Sequence, residues 1–185
     1  LENQPDKTVV IDEAYVDFGA QSSAALIQEF PNLLVTRSFS KSYALAGLRV
    51  GYAMGHADLI EALHRVKDSF NSYPVDRLAS AGAIAAIQDR DYLNKVRIDI
   101  IRNREKLAFG LSVLGFIVLP SATNFVFARH KRLPARLLYQ ELRQADILVR
   151  HFAHPTRIEN FLRITVGTED MVEQILERLQ LILTH

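Results

Sequence analysis

The chain has no cysteine among its 185 residues. Disulfides, thiolate metal sites and a cysteine nucleophile are excluded, and a reducing, cytoplasmic setting is the expectation. No apolar run approaches the roughly 20 residues needed for a membrane-crossing helix. An excess of one charge is also missing: 22 basic residues stand against 21 acidic ones, for a net charge of +1. That balance lacks the basic footprint of a nucleic-acid binder, so neither nucleic acid nor membrane is an expected partner. The sequence contains no phosphate-binding GxxxxGK[ST] loop, no GxGxxG and no GxSxG elbow. His151 and His154 flank a loop without a nearby acid pair, and no metal site is expected. There are no internal repeats and no low-complexity segments. The chain opens Leu1-Glu2-Asn3-Gln4 with neither an initiator methionine nor a signal-peptide layout. The expectation is that it begins part-way through a longer protein.

What is present is a patterned α/β sequence that is 49% hydrophobic. Thr8–Asp12 reads as a short buried parallel strand ending in an acid, Asn32–Arg37 as a second and the glycine-rich Gly47–Gly55 as a third. Glycines at 47, 51 and 55 are best explained by close packing against a neighbouring strand. Ser22–Phe30 reads as a brief helix capped by Ser22 or Ser23 and stopped by Pro31. Ala57–Lys67 is an amphipathic helix with Leu59, Ile60, Leu63 and Val66 on one face. Ser69–Pro74 reads as a polar loop, and Val75–Gln88 as a helix of small residues.

The longest periodic stretch is Asp91–Leu114. Beyond it, short strands at Phe116–Leu119, Asn124–Arg129, Ile147–Arg150 and Phe161–Val166 alternate with helices at Ala135–Ala145 and Glu169–Leu183. Thr168 is the expected N-cap of the last helix. A domain boundary is placed within or just after the long helix, giving residues 1–100 and 101–185. The first part has three apolar strands that want cover on both faces, so it reads as a sheet that has lost its N-terminal strands.

Three local patterns carry chemistry. Ile11-Asp12-Glu13-Ala14-Tyr15 places an acid at a strand end and a phenol three residues on. Thr36-Arg37-Ser38-Phe39-Ser40-Lys41-Ser42-Tyr43 places a lysine in a hydroxyl-rich turn after a strand. Ala46-Gly47-Leu48-Arg49-Val50-Gly51-Tyr52 places an arginine eight residues past that lysine. Ligands of open α/β sheets bind beyond the carboxyl ends of parallel strands, which is where Asp12 and Lys41 lie. An acid, a phenol, a lysine, hydroxyls and a guanidinium are the groups that pyridoxal phosphate (PLP) needs. The acid favours a protonated ring nitrogen, and Tyr15 can bond the ring's phenolic oxygen. Ser38, Ser40 and Arg49 suit the phosphate. Lys41 must act as a neutral nucleophile, which burial and Arg49 would both favour.

Taken singly, each group has an ordinary structural reading: a turn-forming acid, a surface lysine, an ion-paired arginine. Their order and spacing together argue against coincidence. The run SFSKSYALAGLRVGY resembles the PLP-attachment motif of class II, fold-type-I aminotransferases, and VVIDEAYVDF resembles their preceding strand. VKDSFNSYPVDRLASAGAIAAIQD and FLRITVGTEDMVEQIL are similar to histidinol-phosphate aminotransferases in particular.

This resemblance covers nearly the whole chain and implies the C-terminal half of such a protein. The expected fold is the C-terminal part of the large PLP-binding domain, a partial mixed sheet with helices, followed by a small α+β domain. It makes Lys41 the cofactor-bearing lysine, Asp12 the ring-nitrogen acid, Tyr15 the ring-oxygen partner, and Ser38, Ser40 and Arg49 the phosphate binders. Arg163 matches an arginine for the substrate's anionic group, and Arg150 resembles a second. For Arg150, a structural carboxylate such as Glu141 or Asp146 is an equally good partner.

The implied reaction is transamination between histidinol phosphate, or its keto form imidazole-acetol phosphate, and glutamate or 2-oxoglutarate, in histidine biosynthesis. A homodimer is implied too, with Ser69–Pro74 reaching the neighbouring site. Two alternatives stay open: a PLP-dependent threonine-phosphate decarboxylase, and a folded fragment without catalysis. The family's N-terminal half carries the rest of the phosphate cradle and the ring-stacking aromatic, so this chain alone is expected to be inactive.

Overall fold

The computed structural model describes residues 1–184 and divides into two compact units, Leu1–Lys95 and Val96–His185. The division falls inside a long helix.

In the first unit, strands β1 (Val9–Asp12), β2 (Leu33–Ser38) and β3 (Gly51–Gly55) form one sheet in that order. β1 runs parallel to β2 with Asp12 opposite Thr36, and β3 runs antiparallel to β2. The central strand is the buried one: Leu33, Leu34 and Val35 are all in the core with Val16, Phe18 and Phe39. The apolar edge strand departs from the expected burial, with Val10 56% exposed and Ile11 36% exposed. A strand paired on one side only receives half the cover of a central strand.

The glycines of β3 have a steric cause. A Cβ on Gly51 would stand 2.9 Å from the Arg37 carbonyl oxygen of β2. The strand itself starts at Gly51 rather than Gly47, because Ala46–Leu48 forms a 3-10 turn closed by Arg49 at a φ of 54°. The expected helix at Ser22–Phe30 is likewise only a 3-10 turn over Ala24–Gln28; Ser23 caps nothing with its side chain, while the Ser22 hydroxyl accepts from the Ala24 N–H at 3.0 Å. The carboxylate of Glu13 takes the Ser22 hydroxyl and the Ser23 N–H.

Helix α1 (Ala57–Phe70) runs three residues further than expected, with the Ser69 hydroxyl bonded back to the Arg65 carbonyl. The loop therefore spans residues 71–76, not Ser69–Pro74. Asp76 then caps α2 (Arg77–Gln88) by accepting from the Leu78 and Ala79 N–H groups, both at 2.9 Å. The apolar face expected on α1 is only partly covered: Leu59 and Ile60 are half-buried, whereas Leu63 and Val66 are exposed.

Helix α3 (Arg90–Val113) carries the chain into the second unit, where Leu107 and Leu111 anchor its core. Strands β4 (Phe116–Val118), β5 (Phe125–His130), β6 (Arg150–His151) and β7 (Leu162–Thr165) form an antiparallel sheet in the order β4-β5-β7-β6. Helices α4 (Ala135–Gln144) and α5 (Glu169–Thr184) supply Leu138, Leu142, Val172, Ile175 and Leu179 to the same core. Period-2 alternation sorts the sheet's two faces. Val126, Ala128, Leu162 and Ile164 point to the core, and Phe125, Phe127, Arg129 and Arg163 point to the other face. β6 is shorter than expected: Ile147–Val149 precedes its paired residues. Thr168 caps α5 as expected, accepting from Met171 N–H at 3.4 Å.

His130 pins three segments. Its Nδ1 accepts from the Leu133 and Arg132 N–H groups at 3.0 and 3.3 Å, and its ring meets Phe116 at 5.0 Å. Burial pushes its pKa down, with Arg132 and Lys131 adding to the effect, against a bond to the Leu114 backbone that favours the charged form. Among the described residues, no helix is long and apolar enough to cross a membrane.

Candidate active site

The first cluster stands past the carboxyl ends of β1 and β2. Asp12 closes β1 and turns its Oδ1 onto the Ala14 N–H at 3.0 Å, which fixes the start of the loop that holds Tyr15. Lys41 lies three residues past β2. Its Nζ stands 5.5 Å from the Tyr15 ring centroid, so the lysine and the phenol expected from sequence do meet.

The loop is shaped by its own groups. Ser38 Oγ accepts from the Ser40 N–H at 3.0 Å, Ala44 N–H bonds the Lys41 carbonyl at 3.0 Å, and Phe39 is buried against Tyr43 and Tyr52. The neighbouring hydroxyl, Ser42, donates to Asp17 at 2.5 Å. Lys41 itself is exposed, not buried as expected. Arg49 is exposed as well and donates through Nη1 to the Ala46 carbonyl at 2.7 Å. A guanidinium has five N–H donors, so that bond leaves capacity for an anion.

Sequence reasoning missed the ion pair that braces this cluster. The Asp12–Thr36 register continues to Glu13 beside Arg37, an acid and a guanidinium on adjacent strand ends. Arg37 Nε and Nη2 both bond Glu13 Oε2, at 3.0 and 2.9 Å, with the Ser22 hydroxyl at 2.9 Å from the same oxygen. Burial would raise the Glu13 pKa, but the Ser23 N–H, Arg37 and Ser22 together hold it below the ordinary carboxylate range. Arg37 shows the mirror effect: burial disfavours its charge, while Glu13 and Tyr52 hold the proton more firmly. The signal available was the order of charges, Asp12-Glu13 on one strand and Arg37 at the equivalent place on the next.

The second cluster lies on the open face of the four-stranded sheet. Arg150 of β6 and Arg163 of β7 are direct cross-strand partners. The carboxylates considered for Arg150 do not pair with it, and among the described residues neither arginine makes an ion pair. Both meet aromatic rings instead. Arg163 Cζ is 5.4 Å from the Phe125 ring centroid and 5.9 Å from that of Phe152, and Arg150 Cζ is 5.5 Å from Phe152. Like charges placed opposite each other across a strand pair are destabilising unless compensated. Two guanidiniums of this kind, neither ion-paired among the described residues, carry the donors that an anion would use.

The donor set of the first cluster fits a pyridine phosphate: an acid, a phenol, a primary amine, two hydroxyls and a guanidinium at one sheet end. Comparison with known proteins decides the family. The model of "Aminotransferase class I and II" matches residues 4–179. The chain belongs to the class I and II aminotransferases. It is 59% identical over 185 residues to the histidinol-phosphate aminotransferase of Gluconacetobacter diazotrophicus, covering 100% of this chain and 52% of that protein. The chain thus spans about half the length of the curated relatives it matches.

Among solved structures, the histidinol-phosphate aminotransferase of Clostridium acetobutylicum superposes with a TM-score of 0.89 at 26% identity, covering 98% of this chain and 55% of that one. The Sinorhizobium meliloti enzyme, solved with pyridoxal-5'-phosphate, gives 0.81 at 27% identity, covering 95% and 48%. The α/β fold with two sheets is a portion of that aminotransferase fold.

Proposed function

We propose that this chain furnishes the lysine, the ring-nitrogen acid and the substrate-binding arginines of a PLP-dependent histidinol-phosphate aminotransferase, working as a homodimer in the cytoplasm on a histidine-biosynthetic step. The observation that carries the reading is Lys41, set in a hydroxyl-bearing loop past the β2 end with its Nζ over Tyr15. Lys41, Asp12, Tyr15, Ser38, Ser40 and Arg49 would hold PLP, which when bound supplies an electron sink for the substrate's α-carbon. Asp12 would place a carboxylate beside the ring nitrogen and favour its protonated form. Tyr15 would donate to the ring oxygen. Ser38, Ser40 and Arg49 would offer the phosphate charge-assisted bonds.

Lys41 Nζ would take the proton from the substrate's α-carbon, the general-base role that a positioned lysine amine can fill. Arg163 and Arg150 hold the phosphate of histidinol phosphate or a carboxylate of glutamate. Catalysis depends on a preorganised site, so the 185-residue chain, which spans about half the length of its relatives, is expected alone to bind PLP weakly and to turn over negligibly.

The test is an assay of the complete holoenzyme with histidinol phosphate and 2-oxoglutarate. Glutamate formation that is lost in Lys41→Ala supports the reading. Carbon dioxide release from phosphothreonine without glutamate formation would replace it with the decarboxylase.

A further inference from the structure

Phe152 occupies a place that the substrate reading does not use. Its ring lies 5.5 Å from Arg150 Cζ and 5.9 Å from Arg163 Cζ, so one aromatic side chain serves two guanidiniums. Those arginines are direct cross-strand partners with no carboxylate between them among the described residues. Phe152 is braced in turn: its ring meets Phe127 edge-on at 6.2 Å, and Phe127 stacks on Phe161 at 4.7 Å with planes 14° apart. Phe127 sits opposite Arg163 in the register. The ring, half-buried, thus packs against an aromatic row on the sheet.

An aromatic face carries negative charge density and attracts cations. Near both guanidiniums, the Phe152 ring can offset their mutual repulsion without consuming their N–H donors. A carboxylate in the same place would hold the guanidiniums but would also occupy the forks that an incoming anion needs. The two cross-strand guanidiniums thus share one ring, and neither makes an ion pair among the described residues.

We infer that Phe152 is the positioning residue of this anion site: it sets the pose of Arg150 and Arg163 for a phosphate-bearing ligand and takes no part in binding the phosphate itself. This rests on the reading that the two arginines form an anion site.

The test is an NMR titration of the 185-residue chain with inorganic phosphate, following the arginine Nε–Hε resonances. Variants are Phe152→Leu, Phe152→Tyr and a chain with pentafluorophenylalanine at position 152, which keeps the ring's shape but withdraws charge from its face. Before phosphate is added, Phe152→Leu should move the Arg150 and Arg163 resonances together and leave Arg104 in place.

The dissociation constant for phosphate should rise about threefold to tenfold in Phe152→Leu and in the fluorinated chain, and stay within about twofold in Phe152→Tyr. A loss in Phe152→Leu with normal binding in the fluorinated chain would mean that Phe152 acts by packing alone, and would overturn the inference. Unchanged binding in both, alongside weakened binding in Arg163→Lys, would overturn it too while leaving the anion site standing. If Arg163→Lys and Arg150→Lys also bind phosphate as the unaltered chain does, the anion site itself is wrong, and the inference falls with it.

Discussion

The Glu13–Arg37 pair gives the sharpest stability prediction. Its side chains are 4% and 23% exposed, and Arg37 reaches Glu13 through two nitrogens. Glu13→Ala leaves a mostly buried guanidinium without its carboxylate, and deprives the Ser23 N–H and the Ser22 hydroxyl of their acceptor. Removing one partner of a buried pair costs about 3–5 kcal/mol. Arg37 retains some access to water, which puts the expected loss near the lower bound, about 3 kcal/mol. Glu13→Gln keeps the shape and loses the charge, for about 2 kcal/mol.

Hydrogen exchange separates the two units and is the assay of choice. The Val9 N–H, bonded to Asn32, and the Glu13 N–H, bonded to Thr36, report on the first unit, and the Val166 N–H, bonded to Asn124, on the second. In Glu13→Ala the first two should exchange about a hundredfold faster, with the third unchanged. Acceleration below about fivefold, or equal acceleration in both units, would refute the reasoning. The pH sign follows from the depressed folded pKa. The carboxylate's contribution is present above the unfolded pKa and is lost as pH falls through the folded value. Glu13→Gln should flatten that acid-side loss.

His130 gives a second pH-dependent signature, in the other unit. Its folded pKa is depressed, so the unfolded chain binds the extra proton first; stability is full above the ordinary imidazole value and falls as pH drops through the window between the two. Exchange at β5 and β7 amides should therefore quicken on acidification, and His130→Gln should remove that trend. For the proposed substrate contact, Arg163→Lys in the complete enzyme should raise the KM for the phosphorylated substrate about tenfold or more, since it loses a charged hydrogen bond of roughly 1.5–3 kcal/mol. Its cofactor absorbance should stay intact, and unfolding or normal kinetics would make Arg163 a structural residue.

Strand and helix placement was legible where one periodicity ran unopposed. Helix α5, with Thr168 ahead of two acids and a spaced apolar face, matches its sequence pattern closely. The misses have local causes. Gly47 looked like strand because its neighbours are apolar, but the positive φ at Arg49 breaks the chain there into a 3-10 turn. Ser22 does accept the Ala24 N–H as a cap would, but its hydroxyl also donates to Glu13, a residue nine positions earlier that periodicity cannot see. At the site, the proximity of Lys41 and Tyr15 followed from both being placed past parallel strand ends. Local spacing could not reveal that Arg37 braces Glu13 or that Phe152 joins Arg150 to Arg163. Such contacts depend on cross-strand register, which is set by packing far along the chain.

The central claim is that Lys41 is the residue that attaches PLP. The most direct measurement is reconstitution of the complete protein with PLP, reduction with borohydride and mass-spectrometric mapping of the peptides. The account predicts a single pyridoxyl-modified peptide with the adduct on Lys41, and none in Lys41→Ala. An adduct on another lysine in the unaltered protein, at full stoichiometry, would contradict it.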